Sequence, residues 1–261
     1  MDTRATAVPI WVINLPRSEQ RRDAISAHLR ALGLASEIVP AVDGHTLSNH
    51  DLAEVYSASS ALTHIGRALA PSEIGCALSH LRLYRRMVTE NIDRAVILED
   101  DAVVGEGVLE VLSRLAHAPA DCELLLLYHD GVISRWHRQA LSTRYRIGAF
   151  TRPVFGALAY VIRQSAARKI LARAYPICVP ADHWTGAHEH AGVRVYGLEP
   201  VCAQQRHGGD DFATSTIAEE RERYRKMSPS YHPLSAIQRR TLQLKRGLVK
   251  RFHHFLFRTM A

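Results

Sequence analysis

Short runs of consecutive apolar residues alternate along the chain with stretches in which apolar residues recur every three or four positions. The apolar runs predict buried β-strands at residues 8–15, 36–39, 95–98, 124–128, 145–150, 156–162 and 193–198. The helical repeats predict α-helices at residues 18–32, 71–90, 108–116 and 165–174, while residues 46–69 fit either helix or loop. Strands that alternate with helices are typical of an α/β fold, with a mostly parallel sheet and helices on both of its faces.

The composition is that of an ordinary globular protein. The 261 residues are 47% hydrophobic and 23% charged, which excludes a collagen-like or a largely disordered chain. The four cysteines form no C-x-x-C pair, which favours buried thiols in a reducing compartment. The first apolar run is broken by Pro9 and is predicted to be a strand rather than a signal peptide. Since no window approaches the ~20 apolar residues of a membrane-spanning helix, we expect a cytoplasmic protein.

The net charge of +7 is concentrated at the end of the chain. Residues 223–261 contain 10 Lys and Arg and no acid, so residues 1–222 hold the remaining 23 bases against 26 acids. We therefore predict a globular domain at residues 1–222 and a basic tail at residues 223–261. Residues 237–260 of the tail form an amphipathic helical pattern, which suits peripheral contact with an anionic membrane. The same apolar stripe could instead pack against the domain.

Three adjacent acids, Glu99, Asp100 and Asp101, directly follow the apolar strand predicted at residues 95–98. Acids at the carboxyl edge of a sheet need a cation or hydrogen-bond donors to compensate their burial. Carboxylates are ligands that Mg²⁺ and Mn²⁺ prefer, and ligands of α/β proteins bind at this edge. The cluster therefore indicates either a divalent metal site or a solvated turn.

Several common motifs are absent from the chain. It has no G-x-G-x-x-G after the first strand, no P-loop, no G-x-S-x-G and no H-E-x-x-H. Four of the 15 histidines lie at positions 183, 188, 190 and 207, but their spacing fits no zinc template. These absences leave the acid cluster as the main local indication of chemistry.

Five blocks, in the same order, resemble glycosyltransferase family 25, the lipooligosaccharide β-galactosyltransferase family whose relatives include collagen galactosyltransferases. The blocks are residues 12–22 (VINLPRSEQRR), 41–44 (AVDG), 72–80 (SEIGCALSH), 96–101 (VILEDD) and 156–162 (GALAYVI). The resemblance implies a GT-A-type fold, a UDP-linked sugar donor and transfer with inversion at the anomeric carbon. It also implies a divalent ion, Mn²⁺ or Mg²⁺, on the departing diphosphate.

The matching blocks supply the expected donor site. Asp101 is the expected metal ligand, with Glu99 or Asp100, both counted among the donor-binding residues, facing the ribose or the sugar of the donor. The other expected donor-binding residues come from the first and third blocks: Asn14, Leu15, Arg17, Arg21, Ser79 and His80. Without the resemblance, Arg17 and Arg21 would be placed on a solvated helix face, and His80 in the core of a largely buried helix.

Asp182 is the expected catalytic base, since it stands beside Trp184 in a loop predicted before a strand. Aromatic rings often floor sugar sites, and an acid beside one can have a raised pKa. Asp130, at the end of another predicted strand, is the rival base, and Asp182 could instead cap a helix. His207 is expected to complete the metal shell from a loop near the end of the domain.

Together these features predict an inverting transferase that moves a hexose, with galactose favoured, from UDP to a lipooligosaccharide-type acceptor at the inner face of the membrane. Two alternatives remain. The basic tail could bind nucleic acid, although the acidic domain and the lack of a known motif disfavour it. The chain could also be a sugar-binding relative without catalytic activity.

Overall fold

A computed structural model describes residues 8–186, 192–206 and 216–227 of the chain. The first half contains β1 (Ile10–Asn14), α1 (Glu19–Ala31), β2 (Glu37–Pro40), α2 (Asn49–Val55), α3 (Ala58–Ile65), α4 (Pro71–Thr89), β3 (Arg94–Glu99), β4 (Ala102–Val104) and α5 (Gly107–Ser113). The second half contains β5 (Leu124–Leu126), β6 (Ile133–Ala140), β7 (Arg146–Phe150), β8 (Ala159–Arg163), α6 (Gln164–Leu171), α7 (Ala181–Gly186), β9 (Val195–Glu199), β10 (Ala203–Gln205) and α8 (Thr216–Met227).

The main sheet has eight strands in the order β2-β1-β3-β8-β5-β9-β7-β6. Six of them run in one direction, and β8 and β7 run in the other, as their antiparallel pairings with β3 and β9 require. A separate antiparallel pair joins β10 to β4. The predicted α/β fold, with most strands of the sheet running in one direction, is therefore confirmed.

Two apolar layers cover the two faces of the sheet. On one face, residues of α4 and α6 belong to the same apolar cluster as Trp11 and Ile13 of β1, and on the other face residues of α1 and α5 share a cluster with Ile10 and Val12. All five residues of β1 are buried, which explains why the strand is an unbroken apolar run rather than an alternating one. The four predicted helices are confirmed to within a few residues, and residues 46–69 prove to contain α2 and α3.

Some predicted elements differ from the observed ones. The loop predicted around Asp182 is wrong, because this residue lies in the first turn of α7. Strand β6 has no apolar pattern because it is an edge strand with mostly exposed side chains, and β4 and β10 are only three residues long. The predicted helix at residues 237–260 and the metal ligand predicted at His207 lie outside the described residues.

Helix α8 crosses residue 222, where the sequence divides into an acidic domain and a basic tail. The division at this residue stays a prediction. No helix among the described ranges is both long enough and apolar enough to cross a membrane.

Close backbone contact joins the loop after β2 to the N-terminal half of α4. A Cβ added at Gly75 would lie 2.5 Å from the carbonyl oxygen of Val42 and 2.6 Å from the amide nitrogen of Gly44. Ser79 holds the same junction, because its hydroxyl accepts a hydrogen bond from the Val42 amide at 2.8 Å and donates one to the Gly75 carbonyl at 2.7 Å. The junction places the 42–45 segment beside the carboxyl ends of β1 and β3.

We expect Gly75→Ala to destabilise the protein, because the new methyl group would push against backbone atoms that cannot rotate away. The loss should be on the order of 1–3 kcal/mol, as for other overpacked sites, and a urea unfolding curve measures it. Gly105→Ala is the matched control, since its Cβ would meet the nearest atom, the Cys202 carbonyl oxygen, at 3.6 Å. Alanine is otherwise favoured over glycine in a helix by about 1 kcal/mol, so a stabilised Gly75→Ala variant would contradict the close contact.

Candidate functional site

A cleft of about 970 Å³ opens where β1 and β3 end side by side. The strands are parallel neighbours with Ile13 opposite Glu99, so the residues that follow them meet at one edge of the sheet. Most of the residues predicted to bind a ligand line this cleft, and they are Leu15, Arg17, Arg21, Ser79, His80, Glu99, Asp100 and Asp101. Asn14 does not line the cleft, but it is buried and donates a hydrogen bond to Asp100.

Asp100 is held by two residues of the first βα unit, one at the end of β1 and one in α1. Asn14 Nδ2 donates a hydrogen bond to Asp100 Oδ2 at 2.8 Å, and Arg21 Nη1 lies 3.2 Å from Asp100 Oδ1. The side-chain Nδ2 of Asn14 also donates a hydrogen bond to the Ser18 carbonyl, which fixes the start of α1. Burial raises the pKa of Asp100 above its ordinary value even though Arg21 and Asn14 favour the ionised form.

Asp101 is the most deeply buried of the three acids, with 8% of its surface exposed. Gln205 of β10 donates a hydrogen bond from Nε2 to Asp101 Oδ2 at 2.8 Å, and the Arg206 amide donates to the Asp101 carbonyl at 2.8 Å. Within the described ranges, Asp101 Oδ1 is buried without a hydrogen-bond partner. Burial, with the charges of Glu99 and Asp100, raises the pKa of Asp101 to about 6. A buried carboxylate oxygen without a hydrogen-bond partner is suited to bind a cation.

His80 belongs to both the core and the cleft. Its side chain is fully buried, and Nδ1 lies 2.6 Å from the Tyr160 hydroxyl, which in turn lies 2.6 Å from the Tyr84 hydroxyl. Nε2 points the other way and lies 3.4 Å from Glu99 Oε1. The tyrosines thus fix the ring in the core, while Nε2 faces the acid cluster at the cleft. The predicted role of His80 in donor binding stays a prediction.

Arginines line the wall of the cleft near the acids. Arg17 pairs with Asp43 of the 42–45 segment, and Arg21 pairs with Asp100. A third arginine, Arg223, comes from α8 and is exposed. Guanidinium groups bind phosphate oxygens in a bidentate manner, so this wall suits a phosphorylated ligand.

Helix α8 is attached to the rim of the cleft by two adjacent residues. Glu220 Oε1 lies 3.2 Å from His45 Nε2, and its Oε2 accepts a hydrogen bond from the Ser72 amide at 3.3 Å. Arg221 Nε donates to Glu73 Oε1 at 2.8 Å. These contacts bring Ile217, Glu220 and Arg223 into the lining.

Glu73 is the buried partner in this attachment, and its side chain has no exposed surface. Arg67 donates to both of its oxygens, at 2.6 and 2.7 Å, and the Ala70 amide donates at 3.0 Å. Burial alone would raise the pKa of Glu73, but the hydrogen bonds from Arg67 and Ala70 outweigh it and lower the pKa. Glu73 therefore carries a fully compensated negative charge.

Asp182 and Asp130, the two bases predicted from the sequence, have different surroundings. Asp182 Oδ1 is buried without a hydrogen-bond partner in the part of the chain that the structure describes. Burial raises the pKa of Asp182, as do the charges of Glu99 and Glu73, while Arg221 opposes the shift. Asp130 is exposed, and neither of the two residues lines the cleft. Asp182 lies close enough to Glu99 for the charge of that carboxylate to raise its pKa.

Sequence reasoning missed the residues that support the site from a distance. Gln205, Glu220 and Arg221 are more than 100 positions from their partners Asp101, Ser72 and Glu73. No local pattern marks such contacts. Asp43 carried a signal, since it belongs to the block at residues 41–44, but no role was predicted for it.

Residues 7–185 match a family model described as "Glycosyltransferase family 25 (LPS biosynthesis protein)". A "Glycosyltransferase 25 family member" of Aedes aegypti is 30% identical over 230 residues, which are 79% of this chain and 37% of that protein. A protein of the same description from Anopheles gambiae is 39% identical over 95 residues, which are 35% of this chain and 16% of that protein. The chain spans little more than a third of the length of the first relative and less of the second.

Other similar proteins have different descriptions. A "Probable inactive glycosyltransferase 25 family member 3" of Rattus norvegicus is 32% identical over 119 residues, covering 41% of this chain and 19% of that protein. A solved glycosyltransferase involved in the glycosylation of the major capsid of PBCV-1 has a TM-score of 0.41 and 7% identity, covering 84% of this chain and 99% of that one.

We expect Glu73→Gln to loosen α8 and lower the stability of the protein, because Arg67 and Arg221 would lose their shared counter-charge. Removing one partner of a buried pair costs on the order of 3–5 kcal/mol. Because folding lowers the pKa of Glu73, its contribution is complete above the ordinary glutamate pKa and is lost as the pH falls through the lower value of the folded state.

Unfolding curves of the wild type and Glu73→Gln at several pH values measure this difference, with Glu54→Gln on an exposed side chain as the control. A difference that stays constant from neutral pH to strongly acidic pH would show that the charge of Glu73 is not what stabilises the fold.

Proposed function

The chain belongs to glycosyltransferase family 25, and we propose that it transfers a hexose from a UDP-sugar to a glycan acceptor with inversion at the anomeric carbon. Galactose is the proposed sugar, and a lipooligosaccharide or lipopolysaccharide glycan is the proposed acceptor. The description of the matched family as an LPS biosynthesis protein supports this choice of acceptor.

The observation that carries the proposal is the meeting of acids and arginines in one cleft. Glu99 ends β3, and Asp100 and Asp101 follow it at the edge of the sheet where α/β proteins bind ligands. Arg17 and Arg21 line the same cleft. A nucleoside diphosphate bound with a divalent cation needs both kinds of charge. The arginines suit the diphosphate, and the acids suit the cation.

The donor set fits Mg²⁺ or Mn²⁺. Asp101 Oδ1 is a buried oxygen with no hydrogen-bond partner among the described residues, and Asp100 and Glu99 adjoin it. In the proposal Asp101 holds the ion, with Asp100 or Glu99 toward the ribose or the sugar. When bound, a divalent cation stabilises negative charge on a departing diphosphate.

The side chains of the protein perform the remaining steps. Arg17, Arg21 and Arg223 bind and orient the diphosphate, and Asn14 keeps Asp100 in place by its hydrogen bond. Asp182 accepts the proton of the acceptor hydroxyl as that oxygen attacks the anomeric carbon from the face opposite the leaving group. A base of this kind works best when its pKa lies closer to neutral pH than that of an ordinary aspartate, and burial shifts the pKa of Asp182 in this direction.

A second candidate function is sugar-nucleotide binding without transfer. The descriptions of the rat and mouse relatives as probable inactive and inactive family members favour this candidate. Both candidates require donor binding, and only the first requires turnover.

The proposal predicts that a UDP-hexose, with Mn²⁺ or Mg²⁺ present, raises the melting temperature of the full chain. A ligand at 100 times its Kd adds about 2.7 kcal/mol to stability. Asp101→Ala should lose the metal-dependent part of this shift and all UDP-sugar turnover, while its circular dichroism spectrum stays that of the wild type. Asp93→Asn, with an exposed carboxylate at the other end of β3, is the control.

Three outcomes of these measurements have distinct meanings. Turnover in the wild type that disappears in Asp101→Ala supports the proposed transferase. Donor-dependent stabilisation without turnover would favour the binding function. Full turnover in Asp101→Ala would overturn the assigned metal ligand.

We expect Asp182→Asn to reduce kcat by a factor of at least about 10², the scale of general base catalysis, with donor-dependent stabilisation preserved. Because the base acts in its ionised form, the raised pKa of Asp182 places the acidic limb of kcat/KM at higher pH than an ordinary aspartate would. Asp130→Asn is the comparison. Loss of turnover in Asp130→Asn but not in Asp182→Asn would transfer the role to the rival residue.

A further inference from the structure

We propose that Cys76, His80 and Glu99 form a second metal site, which takes Zn²⁺ or a chemically similar ion and is separate from the oxygen-ligand site at Asp101. One sulfur, one nitrogen and one oxygen donor converge at the side of the cleft, all within 4.8 Å of one another. The proposal concerns metal binding and does not depend on the transferase activity.

Two of the three spacings between the donor atoms lie near those of tetrahedral coordination. Cys76 and His80 are four positions apart on α4, so they present their side chains on one face of the helix, toward the end of β3. His80 Nε2 lies 3.4 Å from Glu99 Oε1, and Cys76 Sγ lies 3.9 Å from the same oxygen. Tetrahedral Zn²⁺, with Zn–N and Zn–O near 2.0 Å and Zn–S near 2.3 Å, separates such pairs by about 3.3–3.6 Å. The third pair, Cys76 Sγ and His80 Nε2, lies within 4.8 Å, so these two side chains would draw closer together around a bound ion.

His80 is prepared as a ligand by its buried environment. Its side chain has no exposed surface, and Nε2 makes no hydrogen bond to any described residue although Glu99 is close. On the other side of the ring, the Tyr160 hydroxyl lies 2.6 Å from Nδ1 and is itself hydrogen-bonded to Tyr84. A partner on the second ring nitrogen is the usual arrangement for a metal-bound histidine, because it fixes both the tautomer and the ring orientation.

The donor set selects a different ion from that of the Asp101 site. A thiolate and an imidazole favour Zn²⁺, whereas Mg²⁺ and Mn²⁺ favour oxygen ligands. Three protein ligands leave the fourth tetrahedral position open, and Cys76, His80 and Glu99 all line the cleft, so water or a ligand hydroxyl could fill it. An ion bound here would hold Glu99 toward α4 and away from the middle of the cleft.

Cobalt spectroscopy tests the site, since Co²⁺ substitutes for Zn²⁺ and is coloured. The full chain, freed of metal by chelation, is titrated with Co²⁺ in the absence of any sugar nucleotide. We expect a sulfur-to-cobalt charge-transfer band and intense tetrahedral d–d bands that saturate at one equivalent and disappear when one equivalent of Zn²⁺ is added.

Cys76→Ser should remove the charge-transfer band and weaken Zn²⁺ binding at least about tenfold, the scale of losing a ligand or its support. Cys178→Ser is the matched control, because Cys178 is also partly buried but does not belong to the cluster. Asp101→Asn should keep the band, which separates the two sites. A substitution of His80 could unfold the protein, because its side chain is fully buried. Glu99→Gln is therefore the second ligand variant, and it should also weaken Zn²⁺ binding.

The proposal is overturned if the wild type shows no charge-transfer band, if folded Cys76→Ser keeps it, or if Cys178→Ser or Asp101→Asn loses it. Since no donor or acceptor is present, a failure of UDP-sugar turnover leaves these results unaffected. A positive cobalt titration would likewise say nothing for or against the transferase.

Discussion

The burial of three consecutive carboxylates at the end of β3 is the constraint around which the cleft is arranged. An ionised carboxylate loses strong hydration when it leaves water, so each acid needs its own compensating group. Asp100 has Asn14 and Arg21 from the first βα unit, and Asp101 has Gln205 from β10. Glu99 Oε1 lies 3.4 Å from His80 Nε2 of α4. Elements far apart in the sequence are thereby joined at one edge of the sheet.

Glu73 and Asp101 are both buried acids, but they differ in how many hydrogen bonds they accept and in the direction of their pKa shifts. Glu73 accepts hydrogen bonds from two arginines and an amide, and its pKa is lowered, so its charge is satisfied by the protein itself. Asp101 accepts one side-chain hydrogen bond, and its pKa is raised to about 6. The first arrangement is typical of a structural ion pair. The second leaves electrostatic strain that a ligand can relieve, which is how functional carboxylates are often distinguished.

The sequence predicts well those features that depend on local periodicity. Helix α4 begins with Pro71 and carries Glu73 in its first turn, and β3 is an apolar run that ends in acids, so both were predicted nearly to the residue. Strand β6 and helix α7 were missed because one is an exposed edge and the other is six residues long.

The lining of the cleft could also be predicted in large part, because many of its residues lie at the ends of β1 and β3 or directly after them. Residues that follow β1 and β3 must meet if the strands are parallel neighbours, and the family resemblance identified most of them. The groups that compensate the acids, above all Gln205 and Arg221, were not predictable, because hydrogen bonds across more than 100 positions leave no trace in local pattern. The same holds for the convergence of Cys76 and His80 on Glu99.

Strand β10 and helix α8 contribute hydrogen bonds to the fold from outside the segment that matches the family model. The segment that matches the family ends at residue 185, yet Gln205 and Arg221 lie beyond it and hold Asp101 and Glu73. A fragment cut at the end of the matched segment would lack β9 from within the main sheet, and two of its acids would lose partners. Two of the buried acids of this chain thus depend for their hydrogen bonds on residues that lie beyond the segment matched by the family model.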